Sequence, residues 1–193
     1  MRFKLRTITK VAILSSLACI IMFFEFPLPF IPTFLKIDFS EIPSILAAFS
    51  LGPLSAAAVE LLKNLIHLLK TDTAGIGEMA NFLVGCSYVV TAGIIYKFFK
   101  NRKGAYISLI ISTLVMVIFA SLLNYYVLLP LYAAVLHYPT QEVVGLGTAV
   151  NKNIVDVKTF IALAIAPFNA IKGIIVSIIT LLVYKKLSPI LHK

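Results

Sequence analysis

The residues best placed to do chemistry in this chain lie in the stretch Pro167-Phe168-Asn169-Ala170-Ile171-Lys172-Gly173. Helical spacing of three puts Asn169 and Lys172 on one face. They fall midway along an apolar run from Phe160 to Val183, long enough to cross a bilayer as one helix. A lysine at that depth costs on the order of 2.5–3.5 kcal/mol on insertion scales, so it turns toward protein or a water-filled cavity. Pro167 removes a backbone donor and favours a kink just before the pair. Gly173 lets another backbone, or a flat ligand, come close. A lone asparagine would read as a contact between packed helices. An asparagine and a lysine on one face, with polar residues at matching depth elsewhere, read as a site that captures a ligand by hydrogen bonds.

The elements that must position this pair are membrane helices. The chain has 193 residues, 60% hydrophobic and 13% charged, with a mean hydropathy of +1.00. A soluble domain of this size carries about 25% charged residues, so the composition predicts an all-α integral membrane protein. With no extramembrane stretch large enough to bury a core, residues 1–193 read as one domain. The N-terminus has basic Arg2, Lys4, Arg6 and Lys10 before an apolar run from Val11 to Phe26. That run passes into Pro27-Leu28-Pro29 without a small-residue cleavage site, and is read as a retained helix rather than a signal peptide. Cys19 and Cys86 lie inside apolar runs without metal-ligand spacing, which predicts neither disulfide nor metal.

The net charge of +9 does not point to nucleic acid, because of where the charge lies. Basic residues without acids flank apolar segments at the N-terminus, at Lys97-Lys100-Arg102-Lys103, and at Lys185-Lys186 with Lys193. Connections of mixed sign carry Lys36 with Asp38 and Glu41, Lys70 with Asp72 and Glu78, and Lys152 with Asp156 and Lys158. By the positive-inside rule the first set is cytoplasmic and the second external. Six helices follow, with both termini inside.

Helix 1 is expected from Thr7 to Phe26, with small residues four apart (Ala12 and Ser16, Ser15 and Cys19) that suit close helix packing. The stretch Pro27–Phe39 is apolar but broken by three prolines, and is expected to fold as an irregular lid over the outer mouth. Asp38-Phe39-Ser40-Glu41 resembles a helix start. Helix 2, Glu41 to Leu51, spans only roughly 17 Å against a hydrocarbon core of about 30 Å. Gly52-Pro53 then turns the chain into helix 3, Leu54 to Leu69. A short helix 2 leaves a hollow on the external side, under the lid. Glu60, Lys63, Asn64 and His67 share one face of helix 3, where Glu60 and Lys63 are expected to satisfy each other and His67 to be a structural hydrogen-bonder.

Helix 4, Glu78 to Tyr96, presents Glu78 and Asn81 on one face beside the hollow. Helix 5 runs from Ala105 to about Leu129, apolar until Asn124-Tyr125-Tyr126. The connection His137–Val157 reads as a polar external loop made flexible by Gly145 and Gly147. Helix 6 starts near Lys158. The chain shows no Walker A pattern, HExxH or GxSxG, and its acids do not form facing pairs, so no catalytic residues are assigned. A small pocket of amides, a lysine and aromatic rings under a lid suits a flat molecule with polar edges.

The resemblance is carried by Phe34-Leu-Lys-Ile-Asp-Phe-Ser-Glu-Ile-Pro43, Gly52-Pro53, Glu60-Leu-Leu-Lys-Asn64, Gly77-Glu-Met-Ala-Asn81 and Pro167 to Gly173. Together these resemble the riboflavin-specific S components of energy-coupling factor vitamin transporters, over nearly the whole chain. The resemblance implies a riboflavin-binding subunit in the bacterial cell membrane. Its partners would be a transmembrane coupling subunit and two cytoplasmic ATPases, and it would carry no cofactor of its own. It implies ligand contacts at Asn124, Asn169 and Lys172, and a coupling-subunit contact at Ala12 and Ser16, where Ser16 replaces the family's usual alanine. An isoalloxazine edge has two carbonyls flanking an imide N–H, which a carboxamide matches by donating and accepting. Lys172 can donate to a carbonyl or ribityl hydroxyl, Asp38 or Glu78 can accept from hydroxyls, Asn81 is a further candidate contact, and aromatic rings can stack on the flat system. The alternatives are an S component for another vitamin or a flavin nucleotide, or a self-sufficient secondary transporter. No inverted repeat is visible to support the last.

Overall fold

Helices make up most of the computed structural model, which describes residues 5–137 and 139–191, with side chains described through Tyr184. Arg2, Lys4 and Lys193 lie outside the described residues, as do the side chains of Lys185 and Lys186. Helix α1 spans Leu5–Met22 and stops short of Phe26. The prolines that follow forbid a helix but not an edge strand. Phe26–Pro27 (β1) pairs antiparallel with Lys36–Ile37 (β2), Phe26 opposite Ile37 and Pro27 opposite Lys36. The segment expected to be irregular is therefore a small hairpin. Ile31 and Ile37 bury against Phe168, which anchors the hairpin to the last helix.

Helix α2, Glu41–Leu51, and α3, Pro53–His67, meet at the Gly52-Pro53 corner that the sequence marks. Gly52 sits at φ +99°, where an L side chain is strained, and its N–H bonds to the carbonyls of Ala47 and Ala48. The cap preceding α2 is Ser40, whose side chain makes no capping bond. Asp38 accepts the backbone N–H of Ser40 at 2.8 Å. A 3-10 turn, Leu68–Lys70, ends α3, and α4 covers Ile76–Phe98.

Helix α5, Arg102–Val135, passes through a π-turn at Asn124–Leu128. Helix α6, Thr140–Val150, occupies the connection read as a flexible loop. Val143 and Val144 bury there, and a Cβ added at Gly147 would come within 2.8 Å of Phe160. That glycine allows close packing and is not a source of flexibility. Helix α7 begins at Val157–Phe160, continues through a π-turn at Ile161–Ile165, and runs on over Ala166–Leu191. Its start is fixed by a capping box in which Asp156 accepts from the Thr159 N–H at 2.7 Å.

Four of these helices are long and apolar enough to cross a membrane: Leu5–Met22, Ile76–Phe98, Arg102–Val135 and Val157–Tyr184. With α2 and α3 between them, this is an all-α membrane protein apart from the two-residue strands. The end of the bundle away from the hairpin is tied by hydroxyls. Tyr88, fully buried, bonds to Ser177 at 2.7 Å, and the Tyr96 and Tyr184 hydroxyls meet beside Phe49. Gly173 packs against α5: a Cβ there would lie 2.7 Å from Thr113 Cγ2 and 2.8 Å from Met116 Cε. Its smallness therefore admits a neighbouring helix, not a flat ligand.

Candidate ligand-binding site

A cavity of about 440 Å³ opens between the hairpin and helices α3 to α7. This volume falls in the range of small-molecule sites, about 300–1,000 Å³. Glu78 and Asn81 reach it from the first turns of α4, Asn124 from the π-turn of α5, and Asn169 and Lys172 from α7. Phe34, Leu35 and Lys36 of the hairpin, Tyr132 of α5 and Phe168 of α7 complete much of the wall. Five of the six residues expected at the ligand thus share one cavity.

The two asparagines are oriented alike. Asn124 Nδ2 donates to the Ala120 carbonyl at 2.8 Å, and Asn169 Nδ2 to the Ile165 carbonyl at 2.9 Å. In each helix a π-turn ends two residues before a proline, Leu128 before Pro130 and Ile165 before Pro167. The widened turn accommodates the donor that proline lacks, the role expected of a kink at Pro167. Tying one amide N–H to the backbone leaves the second N–H and the carboxamide oxygen for another partner.

Behind Lys172 lies a buried ionic cluster. Lys172 Nζ is 2.7 Å from Glu41 Oε1 and 3.1 Å from Asp38 Oδ2. Lys63 Nζ reaches the same Glu41 oxygen at 3.3 Å, Glu60 Oε2 at 2.9 Å and Ser40 Oγ at 2.7 Å. Asp38, Glu41, Glu60 and Lys63 are each at most 2% exposed. Asp38 is absent from the cavity wall and holds Lys172 from behind. The expected Glu60–Lys63 pair forms, but it is one edge of a lattice joining α2, α3 and α7. Such a lattice costs desolvation, offset only because each charge faces an opposite one.

Glu78 is similarly engaged. Its Oε1 lies 3.1 Å from His67 Nδ1, and its Oε2 accepts from Thr71 at 2.9 Å. His67 also lines the cavity and packs its ring against Phe23 at 5.3 Å. At the mouth, Lys36 bridges Glu25 at 2.8 Å and Asp72 at 3.5 Å. The hydrogen bond it donates to Glu25 is the main reason the Lys36 ammonium titrates above its ordinary range. Among the described residues no group of three His, Cys, Asp or Glu side chains is arranged to hold a metal ion. The chemistry on offer is binding: oriented amides, an ammonium, and aromatic walls.

Sequence reasoning passed over Glu41, read only as a first-turn acid, and the contributions of Val143 and Leu146 from the unexpected α6. Charge accounting is the signal that points to Glu41. Two lysines at membrane depth need acids, and few acids are available on neighbouring helices. On α1, Ala12 and Ser16 are exposed, with Ser16 Oγ donating to the Ala12 carbonyl at 3.0 Å, whereas Ser15 and Cys19 turn inward.

A family model described as "ECF transporter, substrate-specific component" matches residues 6–184. The chain is 40% identical over 188 residues to the riboflavin transporter RibU of Staphylococcus aureus (strain TCH60), covering 97% of this chain and 93% of that protein. It is 36% identical over 189 residues to the riboflavin transporter FmnP of Bacillus subtilis (strain 168), covering 96% and 94%. A solved structure described as "Structure and mechanism of the S component of a bacterial ECF transporter" superposes with a TM-score of 0.77 at 38% identity, covering 97% and 98% of the two chains. The chain belongs to the substrate-specific components of ECF transporters.

Proposed function

We propose that this protein is the riboflavin-binding subunit of an ECF transporter, working as a single six-helix domain with both termini cytoplasmic. It takes the vitamin from outside and passes it on through a coupling subunit driven by two ATPases. The observation that carries the reading is the convergence of Asn124, Asn169 and Lys172 on one cavity roofed by the hairpin. Oriented amides meet the carbonyl and imide groups of an isoalloxazine edge, the ammonium donates to a carbonyl or hydroxyl, and Phe34 and Phe168 flank the flat ring. The riboflavin transporters that resemble this chain over nearly their full length support the choice of ligand. Asn81 and Glu78 then face the ribityl chain, and Asp38 acts by holding Lys172.

The test is binding followed by flavin fluorescence quenching, together with accessibility of the hairpin. A cysteine at Phe34, in a background without Cys19 and Cys86, is expected to react readily with an impermeant thiol reagent and poorly once riboflavin is present. Equal labelling in both conditions would remove ligand-linked closure. The exposed pair Ala12 and Ser16 is the proposed contact for the coupling subunit, since small side chains let two helices approach closely. The double variant Ala12→Leu/Ser16→Leu is expected to keep riboflavin binding and lose ATP-dependent uptake. Accumulation of riboflavin by the unmodified chain alone, in vesicles with an ion gradient, would favour a self-sufficient transporter instead.

A further inference from the structure

We infer that Glu41 is itself a ligand-contacting, specificity-determining residue, accepting a hydrogen bond at Oε2 from an N–H or O–H donor of the bound molecule. The inference rests on the riboflavin reading of the cavity and adds a residue to it. Glu41 lines the cavity, yet it is 2% exposed. Its Oε1 is held from two sides, by Lys172 at 2.7 Å and Lys63 at 3.3 Å. Among the described residues its Oε2 has no hydrogen-bond partner. A buried carboxylate oxygen without a donor is costly, and the cost is removed when a donor arrives. The two lysines fix one oxygen and leave the other as the free acceptor of the pair. The terminal torsion of a glutamate is soft, so a small turn brings Oε2 to a group in the cavity.

The neighbouring ammonium sharpens the match. Lys172 has three N–H donors and gives them to only two carboxylates, Asp38 and Glu41. A donor and an acceptor therefore stand side by side at this point of the wall. Adjacent carbonyl and N–H groups on an imide edge fit that pair, as do neighbouring hydroxyls of a polyol chain. A ligand blocked at the relevant donor would leave Oε2 unpaired in a dry site, a mismatch that discriminates strongly.

The experiment pairs one variant with two analogues. Riboflavin, N3-methylriboflavin (no imide N–H) and lumiflavin (no ribityl hydroxyls) are titrated against the unmodified protein and against Glu41→Gln. Glutamine keeps the shape and can still accept from Lys172, but it turns an N–H toward the ligand donor. Glu41→Gln is expected to weaken riboflavin binding by roughly 10- to 100-fold, the range for a hydrogen bond to a charged group. For the analogue that lacks the donor, the same substitution is expected to change affinity by less than about 3-fold, well inside the scatter of such couplings. Loss of coupling with N3-methylriboflavin assigns the donor to the imide, and loss with lumiflavin assigns it to the side chain.

A purely structural role, acting through Lys172, would lower affinity for all three ligands by one factor and overturn the inference. Should Glu41→Gln not fold, Glu41→Asp keeps the charge and shortens the reach, and the same pattern across ligands decides. In the unmodified protein, equal affinity for all three flavins would also overturn it. Failure of the unmodified chain to bind riboflavin would overturn the functional reading, and the Glu41 inference with it. Binding without coupling overturns the Glu41 inference alone.

Discussion

Two lysine-centred clusters frame the cavity, and they are built differently. On the inner side, Lys172 and Lys63 are 7% and 0% exposed and share Glu41, with Asp38 and Glu60 completing the set across three helices. At the mouth, the Lys36 side chain is 34% exposed and joins Glu25 to Asp72, the latter 76% exposed. A buried pair with one partner removed leaves an uncompensated charge in a dry site, a loss of about 3–5 kcal/mol. A solvated pair contributes about 0–1 kcal/mol. The inner cluster is therefore a fixed floor that holds α2, α3 and α7 in register. The outer one is a solvated clasp at the cavity mouth, and the hairpin that carries Lys36 is only two residues per strand.

The sharpest way to break this contrast is to delete the floor. Lys172→Met takes from Asp38 its lysine and leaves Glu41 with Lys63 alone; it is expected to cost about 3–5 kcal/mol of stability, seen as a lower melting temperature in detergent, and to abolish flavin binding. Lys63→Met is expected to destabilise similarly, since Glu60 and Glu41 lose the same partner. Lys63 does not line the cavity, so at a temperature where this variant is folded its flavin affinity should stay near the parent's. Two lysine variants that are equally unstable and equally defective in binding would show that the cluster acts as one unit.

The next effect in size belongs to the asparagines. If Asn124 and Asn169 contact the ligand as proposed, Asn124→Ala and Asn169→Ala are each expected to remove a hydrogen bond of about 1–3 kcal/mol, a loss of roughly 5- to 150-fold in affinity. Neither should lower the melting temperature much, because the amides bond only to carbonyls of their own helices. Fluorescence quenching reads the first quantity and a thermal melt the second. Unchanged binding in both variants would move the ligand away from these two helices.

Much of this arrangement was legible in the sequence, and the failures share a cause. Asn124, Asn169 and Lys172 stood out because polar groups in apolar runs are expensive, and the Gly52-Pro53 corner because both residues are local signals. The hairpin was hidden because three prolines argue against helix without arguing for a strand, and the pairing of Phe26 with Ile37 is not local. Helix α6 was hidden behind Gly145 and Gly147. The reason for Gly147 is the Phe160 ring, which sequence spacing cannot reveal. Glu41 does stand in the first turn of α2, but its place in the cluster was hidden for the same reason: its partners sit 22 and 131 positions along the chain, on α3 and α7. Local chemistry shows in a sequence, whereas cross-helix pairing shows only once the helices are packed.

The smallest expected effect lies at the clasp, and it tests the contrast from the other side. Lys36→Met should leave the melting temperature within the scatter of ordinary surface substitutions, about 0.5 kcal/mol. It should speed riboflavin release by no more than about 5-fold, the kinetic equivalent of about 1 kcal/mol. Release from the unmodified protein should quicken with salt, because exposed charges are screened over about 10 Å at 0.1 M, and the variant should lose most of that dependence. The pH behaviour follows from the sign of the Lys36 shift. Pairing with Glu25 raises its titration above the ordinary lysine value, so the clasped state binds the proton more tightly than the open one. Its contribution is complete below about pH 10.4, the unpaired value, and fades only as the pH rises through the paired one. Release should therefore be flat from about pH 6 to 9 as far as Lys36 governs it, and quicken only in strong alkali. A release rate that varied with salt and pH as much in Lys36→Met as in the parent would place the opening step elsewhere than the clasp.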